Sequence, residues 1–322
     1  MNRRAVLASG LLLLLPVPLS SAAQQRLYRI GVLLYGGVYY AAVDGVRERL
    51  KQLGLEEGKH YVLHLREAKG DQKSVEATAS ALEREQVDVM FTVTTAVTAA
   101  AKRATKTVPI VFYAGADPVA MGFVDTFHRP GGRLTGVHSR FANLAAKRLE
   151  LLKEMIPNLR RVVTFYRPDN PANTEVIDTT RRAARKLNVE IVERYIASVE
   201  ELRASLEALR PGEADAFYSA DVMVISQAQL VIGILNTKKV ATIFNDRDLV
   251  AKGGLASYGA SYHGLGRLAA GQVERILRGA KPGELPVEQL DRLHLAINMK
   301  TANALGLKVP QSVLARADEV IQ

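Results

Sequence analysis

The stretch QVDVMFTVTTAVTAAAKRATKTVPIVFYAGADP, residues 86–118, decides how this chain folds. Residues 87–93 are a short apolar run rich in β-branched side chains, the pattern of a buried strand. Thr94 and Thr95 end it. The segment AVTAAAKRA that follows reads as a short helix with Thr94 or Thr95 as N-cap, because a threonine oxygen can accept an otherwise unpaired N–H of the first turn. Thr107-Val108-Pro109 breaks that helix. Residues 110–113 are a second buried strand, and Ala114-Gly115-Ala116-Asp117-Pro118 is a loop able to approach a ligand. A strand, helix and strand in this order form a parallel pair whose ends lie side by side. One end carries hydroxyls and the N–H groups of a helix start, the other a carboxylate. Ligands of open α/β sheets bind at such carboxyl ends.

Outward from this unit the same alternation continues. Upstream, residues 29–35 and 61–65 read as strands. Residues 41–53, with Val43, Val46, Leu50 and Leu53 at helical spacing before Gly54, read as a helix, as do residues 75–85. Downstream, Gly131-Gly132 turns into a strand at 134–138. A helix at 145–156 closes at Pro157 and the alternation begins again. It predicts strands at 161–166, 189–195, 214–218, 240–244 and 255–258, separated by helices at 174–187, 200–209 and 223–235. A long helix at 261–278, a strand at 293–298 and a small helical piece after Pro310 complete the chain. Repeated β-α units give parallel sheets with helices on both faces. The two halves also echo each other: VDVMFTV with TVPIVFYAGADP matches ADAFYSADV with KVATIFNDRD. That echo favours two similarly built lobes over one large sheet.

Composition narrows the class. The chain has 322 residues, enough for two ordinary domains, and 48% apolar with 24% charged residues is the balance of a soluble globular protein. Arg3-Arg4 precedes an apolar run at 5–15, shorter than the ~20 residues a membrane span needs. Pro16 and Pro18 break the run, and Ser20-Ser21-Ala22-Ala23 supplies small residues for cleavage. Residues 1–23 therefore read as a signal peptide, with the paired arginines also admitting twin-arginine export. The chain has no cysteine, so it has neither disulfides nor the cysteine to which a bacterial lipid anchor is attached. A soluble periplasmic protein is the expectation. The formal charge is +10. Without the leader's two arginines, 41 basic residues face 33 acidic ones, a net +8. Arg181-Arg182 and Arg185-Lys186 fit a solvated helix face, and export argues against a nucleic-acid partner.

Enzyme motifs are missing. There is no Gly-x-Ser-x-Gly, Ser-x-x-Lys, phosphate loop or His-Glu-x-x-His. His60 and His64 lie in or beside a strand with no acidic partner expected nearby, so surface histidines are expected and no metal. Gly264-Leu265-Gly266-Arg267-Leu268-Ala269 fits a dinucleotide pattern formally, but it falls inside a helix and lacks the following ribose-binding acid. Helix packing is its expected role, and no cofactor is implied. What remains is a ring of polar residues at strand ends. Tyr35, Thr94, Thr95 and Asp117 come from the first half. Tyr166, Asn170, Tyr218, Ser219, Asp221, Asn245 and Asp246 come from the second, with Tyr258 and Ser261 where the chain crosses back. A helix start would receive a carboxylate, an aspartate an ammonium group, and tyrosines an apolar or aromatic side chain. This chemistry suits a small polar ligand or zwitterion, and binding rather than catalysis.

The sequence resembles the periplasmic substrate-binding proteins of ABC transporters, in the branch that includes tryptophan-binding members. The resemblance is carried by RIGVLL, GLEEGKHYVLHLREAKGD, VDVMFTVTTAVTAAAKRATKTVPIVF, ADPVAMGFV, RPGGRLTGV, KRLELLKEMIPNLRRVV, GGLASYG and INMKTANALGLKVPQSVLARADEVI. It implies two Rossmann-like lobes of the type I periplasmic-binding kind, with parallel sheets joined by a three-segment hinge near Ser139, Gly259 and Leu290. Lobe 1 would comprise residues 26–139 and 259–290, lobe 2 residues 140–258 and 291–322. It further implies a ligand, an amino acid or related compound, closed between the lobes of a monomer that docks on an ABC permease. Two departures argue against carrying over tryptophan itself. The loop after the first strand, Tyr35-Gly36-Gly37-Val38-Tyr39-Tyr40, lacks a common polar residue, and Tyr218-Ser219-Ala220-Asp221-Val222-Met223 lacks a frequent proline. A sensor that hands its closed form to a receptor is the alternative on the same fold, and an enzyme the third.

Overall fold

The computed structural model describes residues 26–68, 72–139, 144–168, 171–290 and 293–322. The leader falls outside these residues. The first run of elements is β1 (Tyr28–Leu34), α1 (Tyr40–Gln52), β2 (Tyr61–Glu67), α2 (Gln72–Arg84), β3 (Val89–Val93), α3 (Thr95–Ala104), β4 (Ile110–Ala114) and β5 (Leu134–His138). The second is α4 (Leu144–Met155), β6 (Arg161–Tyr166), α5 (Pro171–Leu187), β7 (Glu190–Tyr195), α6 (Val199–Glu207), β8 (Ala216–Tyr218), α7 (Val222–Ser226), α8 (Ala228–Thr237), β9 (Ala241–Phe244), α9 (Asp248–Ala251) and β10 (Ala256–Gly259). The chain ends with α10 (Tyr262–Leu277), β11 (Glu288–Gln289), β12 (His294–Asn298), α11 (Met299–Ala304), α12 (Gln311–Leu314) and β13 (Glu319–Ile321).

Two sheets result, ordered β2-β1-β3-β4-β5-β11 and β7-β6-β8-β9-β10-β12-β13. The first five strands of each thus stand in the same spatial order, 2-1-3-4-5. The strands matched by the internal echo, β3 with β4 and β8 with β9, hold the third and fourth places in both. The pairing is parallel except between β10 and β12. The chain passes between the sheets three times: from β5 to β6, from β10 through α10 to β11, and from β11 to β12.

Strand alternation explains how the second sheet is covered. Val163, Phe165, Phe217 and Phe244 point to the face packed by α6, α7 and α8. Val162, Ala216, Tyr218, Ile243, Ala256 and Ile297 point to the face packed by α4 and α5. Adjacent residues face opposite sides because the strand repeat is two. Around the first sheet, α10 packs directly on α1, and a Cβ on Gly266 would collide with the Ala42 carbonyl, as one on Gly45 would with the His263 carbonyl. The Gly264–Ala269 pattern therefore serves helix packing.

Three local expectations change. The helix expected at 223–235 is two, α7 and α8, parted at Gln227 (φ −98°, ψ 21°). Asp221 starts the first of them one register early, and Ser226 Oγ donates back to the Met223 carbonyl (2.7 Å), which ends it. The short β11 and α11 carry too little periodicity to be read from sequence. His64 does have an acidic partner, Glu85, at 2.9 Å, because the β2 edge lies beside the end of α2.

The α1–α10 contact is open to test. Gly266→Ala must push the helices apart and is expected to cost ~1–3 kcal/mol in urea unfolding. Gly271→Ala, on the same helix with nothing within 4 Å of its Cβ position, is expected to stabilise by up to ~1 kcal/mol.

Candidate ligand cleft

β3 ends at a sharp corner. Thr94 has φ 95° and ψ 152°, a conformation that is costly for a β-branched residue and persists only where its surroundings hold it. They do so here. Its N–H donates to Tyr113 O at 3.1 Å, its carbonyl accepts the Thr98 N–H at 3.0 Å, and its Oγ1 accepts the Val97 N–H at 3.4 Å. Thr95 Oγ1 accepts the N–H groups of Gly115 and Ala116, both at 3.1 Å, and so fastens the loop after β4 to the start of α3. The N–H groups of Thr95 and Ala96 have no partner among the described residues, as expected for the first turn of a helix.

These residues form one wall of a cavity of about 580 Å³, counting its share open to solvent. Asn173, Glu175 and Val176 of α5, with Ala220, Val222 and Ile225 around the start of α7, form the facing wall. Asp221 organises this side from beneath. One oxygen caps α7 through Met223 N (2.8 Å) and Val224 N (3.4 Å). The other receives Asn173 Nδ2 (2.7 Å), Arg167 N (3.0 Å) and Arg167 Nε (3.3 Å).

Three tyrosines close the cavity. The Tyr262 ring meets Tyr39 edge to face at 4.9 Å and Tyr113 at 5.9 Å. Tyr39 Oη donates to the Val222 carbonyl (3.4 Å), across to the second sheet's side. Tyr113 Oη pairs with Ser139 Oγ (3.2 Å), and Asn245 Nδ2 donates to Tyr262 Oη (2.5 Å). Burial pushes the Tyr113 phenol up to about 12 and holds those of Tyr39 and Tyr262 well above the ordinary value. All three are neutral in water at any ordinary pH. They offer aromatic surface and hydroxyls, and no base.

Of the residues expected at strand ends, Thr94 and Thr95 line the cavity. Tyr35 is buried and does not line it, its ring 6.0 Å from the Arg167 guanidinium. Asp117 is exposed and accepts Val119 N (2.8 Å) and Ala120 N (3.2 Å) of its own turn. Tyr166 bonds Glu193 and meets the Tyr195 ring at 5.2 Å, at the sheet edge. Tyr218 is buried beneath α4, beside Arg148. Tyr258 receives Arg148 Nε on its carbonyl at 2.7 Å. Asn245 and Asp246 sit under Tyr262. Asn170 lies outside the described residues. Sequence reasoning missed Tyr39, Tyr113, Tyr262, Asn173 and Glu175. Tyr262 directly follows the singled-out Ser261, Tyr39 lies in the loop quoted after the first strand, and Asn173 is three residues from Asn170.

Two sheets of like topology with a cavity at their strand carboxyl ends define a type I periplasmic-binding fold, and solved structures bear this out. The chain belongs to the ABC transporter substrate binding protein family, whose pattern matches residues 29–321. It is 28% identical over 268 residues to a tyrosine-binding protein of Clostridioides difficile (strain R20291), covering 83% of this chain and 77% of that one. A conserved domain protein from Vibrio cholerae superposes with a TM-score of 0.83 at 28% identity, over 92% of this chain and 100% of the other. An ABC domain from Streptococcus pneumonia in complex with L-Trp superposes with a TM-score of 0.81 at 24% identity, with the same coverage. The protein is a solute-binding protein and not an enzyme.

Asp246 carries a pH dependence. It is buried, which pushes its carboxyl up to about 6, although Tyr262 N and Asp248 N (both 2.9 Å) pull the other way. Between the ordinary 3.8 and about 6 the folded state holds the extra proton. This group's contribution is therefore most favourable below pH ~4 and declines as pH rises through 6. The gap amounts to roughly 3 kcal/mol. Asp246→Asn, which removes the titrating proton at the loss of one of the two accepted N–H groups, is expected to flatten that decline in melting curves between pH 4 and 7. An unchanged pH profile contradicts the assignment.

Proposed function

We propose that this chain is exported and serves as the periplasmic binding component of an ABC importer, closing as a monomer on an α-amino acid with an aromatic side chain and delivering it to the permease. The observation that carries this reading is the facing of two features across one cavity. The Tyr39, Tyr113 and Tyr262 rings suit an aromatic or apolar side chain, and the start of α3 suits a carboxylate through unpaired N–H groups and the helix dipole. Residues 26–139 with 259–290 act as one lobe, and 140–258 with 291–322 as the other. The segments near Ser139, Gly259 and Leu290 act as the hinge. The tyrosine-binding relative and the L-Trp complex support the ligand class. The arrangement of the lobes supports a closed form: the TM-score to the L-Trp complex is 0.81, against 0.60 to the ligand-free, open structure of a Clostridium difficile substrate binding protein.

Calorimetry of the mature chain against single amino acids tests this. L-tyrosine or L-tryptophan is expected to bind near the micromolar range, about −8 kcal/mol. Tyr262→Leu, which keeps apolar bulk but loses the ring contacts, is expected to weaken binding about tenfold. Absence of heat and of any thermal stabilisation across the amino-acid panel overturns the reading.

A further inference from the structure

The turn that follows β1 touches the elements of the second sheet at alternate residues. The Tyr35 ring lies 6.0 Å from the guanidinium of Arg167, the residue after β6. Gly37 rests on the carbonyl of Ser226, the last residue of α7, so closely that a Cβ there would collide with it. Tyr39 Oη donates to the Val222 carbonyl at the start of the same helix (3.4 Å). Two residues between them turn the other way. A Cβ on Gly36 would strike the Glu67 carboxylate at the end of β2, and Tyr40 Oη donates to Glu67 Oε2 (2.8 Å). The turn is thus fastened to its own sheet through Gly36 and Tyr40, and reaches across through Tyr35, Gly37 and Tyr39.

Two consecutive glycines shape this crossing. Gly36 has φ 78° and Gly37 φ 60°, in the left-handed region that glycine enters without steric cost. The obstacles beside them differ in kind. Glu67 meets Gly36 with a side chain, which can swing aside. Ser226 meets Gly37 with backbone, and α7 is held by its Asp221 cap. That carbonyl yields only if the two sides part.

We propose that Gly37 is a positioning residue for closure: its bare backbone against the Ser226 carbonyl sets the separation at which the two lobes stop. The inference rests on the two-lobe reading above and deepens it. Gly37 and Ser226 belong to different lobes, so opening breaks their contact, and an added methyl group penalises the closed form alone. Gly37 does not line the cavity, so its effect reaches the ligand only through closure. Apparent affinity falls in proportion to the fraction of protein able to close.

The experiment compares Gly37→Ala with Gly58→Ala in the mature chain. Gly58 also has a positive φ (82°), but nothing lies within 4 Å of its Cβ position. The two variants share the backbone cost and differ in the collision. Gly37→Ala is expected to bind L-tyrosine or L-tryptophan about tenfold more weakly than Gly58→Ala, to release it faster, and to compact less in small-angle scattering at saturation. Without ligand, the two are expected to melt within about 3 °C of each other. Affinity within about twofold of Gly58→Ala overturns the proposal while the two-lobe reading stands. A far lower ligand-free melting temperature for Gly37→Ala also overturns it, because the contact then belongs to the open form as well. Wild-type protein whose scattering is unchanged by either amino acid overturns the two-lobe reading, and the role of Gly37 with it.

Discussion

The backbones of α1 and α10 approach so closely that neither Gly45 nor Gly266 has room for a side chain, and much of the molecule's organisation follows from that contact. α10 comes late in the chain, after all five leading strands of the second sheet are complete. To reach α1 it must cross back to the first sheet, and β11 then pairs with β5 before the chain leaves again for β12. The same helix delivers Tyr262 to the cavity between Tyr39 and Tyr113. Its first turn is held by groups from both neighbourhoods: Ser261 Oγ accepts the Gly264 N–H, and Asp246, from the end of β9, accepts the Tyr262 N–H. The floor of the cleft is therefore set by a helix-packing contact that begins beside it, with His263, next to Tyr262, against Gly45.

The walls follow from a second constraint. Parallel strands end on one side, so the polar residues that stop them gather there whatever their later role. Most of those residues then satisfy their own backbone. Asp117 binds its turn, Asp221 caps α7 and orients Asn173, and Asp246 ties β9 to α10. Among the described residues, the groups left with unmet capacity include the first N–H groups of α3, the Thr95 hydroxyl, Asn173 Oδ1 and Glu175. A buried polar group commits its capacity to the fold because leaving it unmet is costly. What stays open toward a cavity is what a ligand can meet.

This explains which parts of the site were legible. Thr94 and Thr95 could be read because a β-branched run that stops at threonines and resumes as a helix permits only a strand, a cap and a helix start. The pairing of β3 with β4, and their echo in β8 and β9, was legible for the same reason. The three tyrosines were not. Tyr113 lies in a strand buried along its whole length, where alternation does not distinguish faces. Tyr39 lies in a short 3₁₀ turn without periodicity, and Tyr262 is one of many buried positions on α10. Glu175 and Asn173 read as ordinary residues of a helix start until the opposing wall is known.

Sequence alone determined the local order of strands and helices, the doubling of the unit and the polar character of the strand ends. These depend on periodicity, on capping and on the φ/ψ demands of a few residues, all of which act within a dozen positions. Tertiary structure decided which polar groups remain unpaired and which rings meet. Those outcomes depend on contacts between residues distant in sequence, such as Asn173 with Asp221, Tyr39 with Tyr262 and Tyr113 with Tyr262. Their geometry exists only once α10 has packed against α1 on the first sheet.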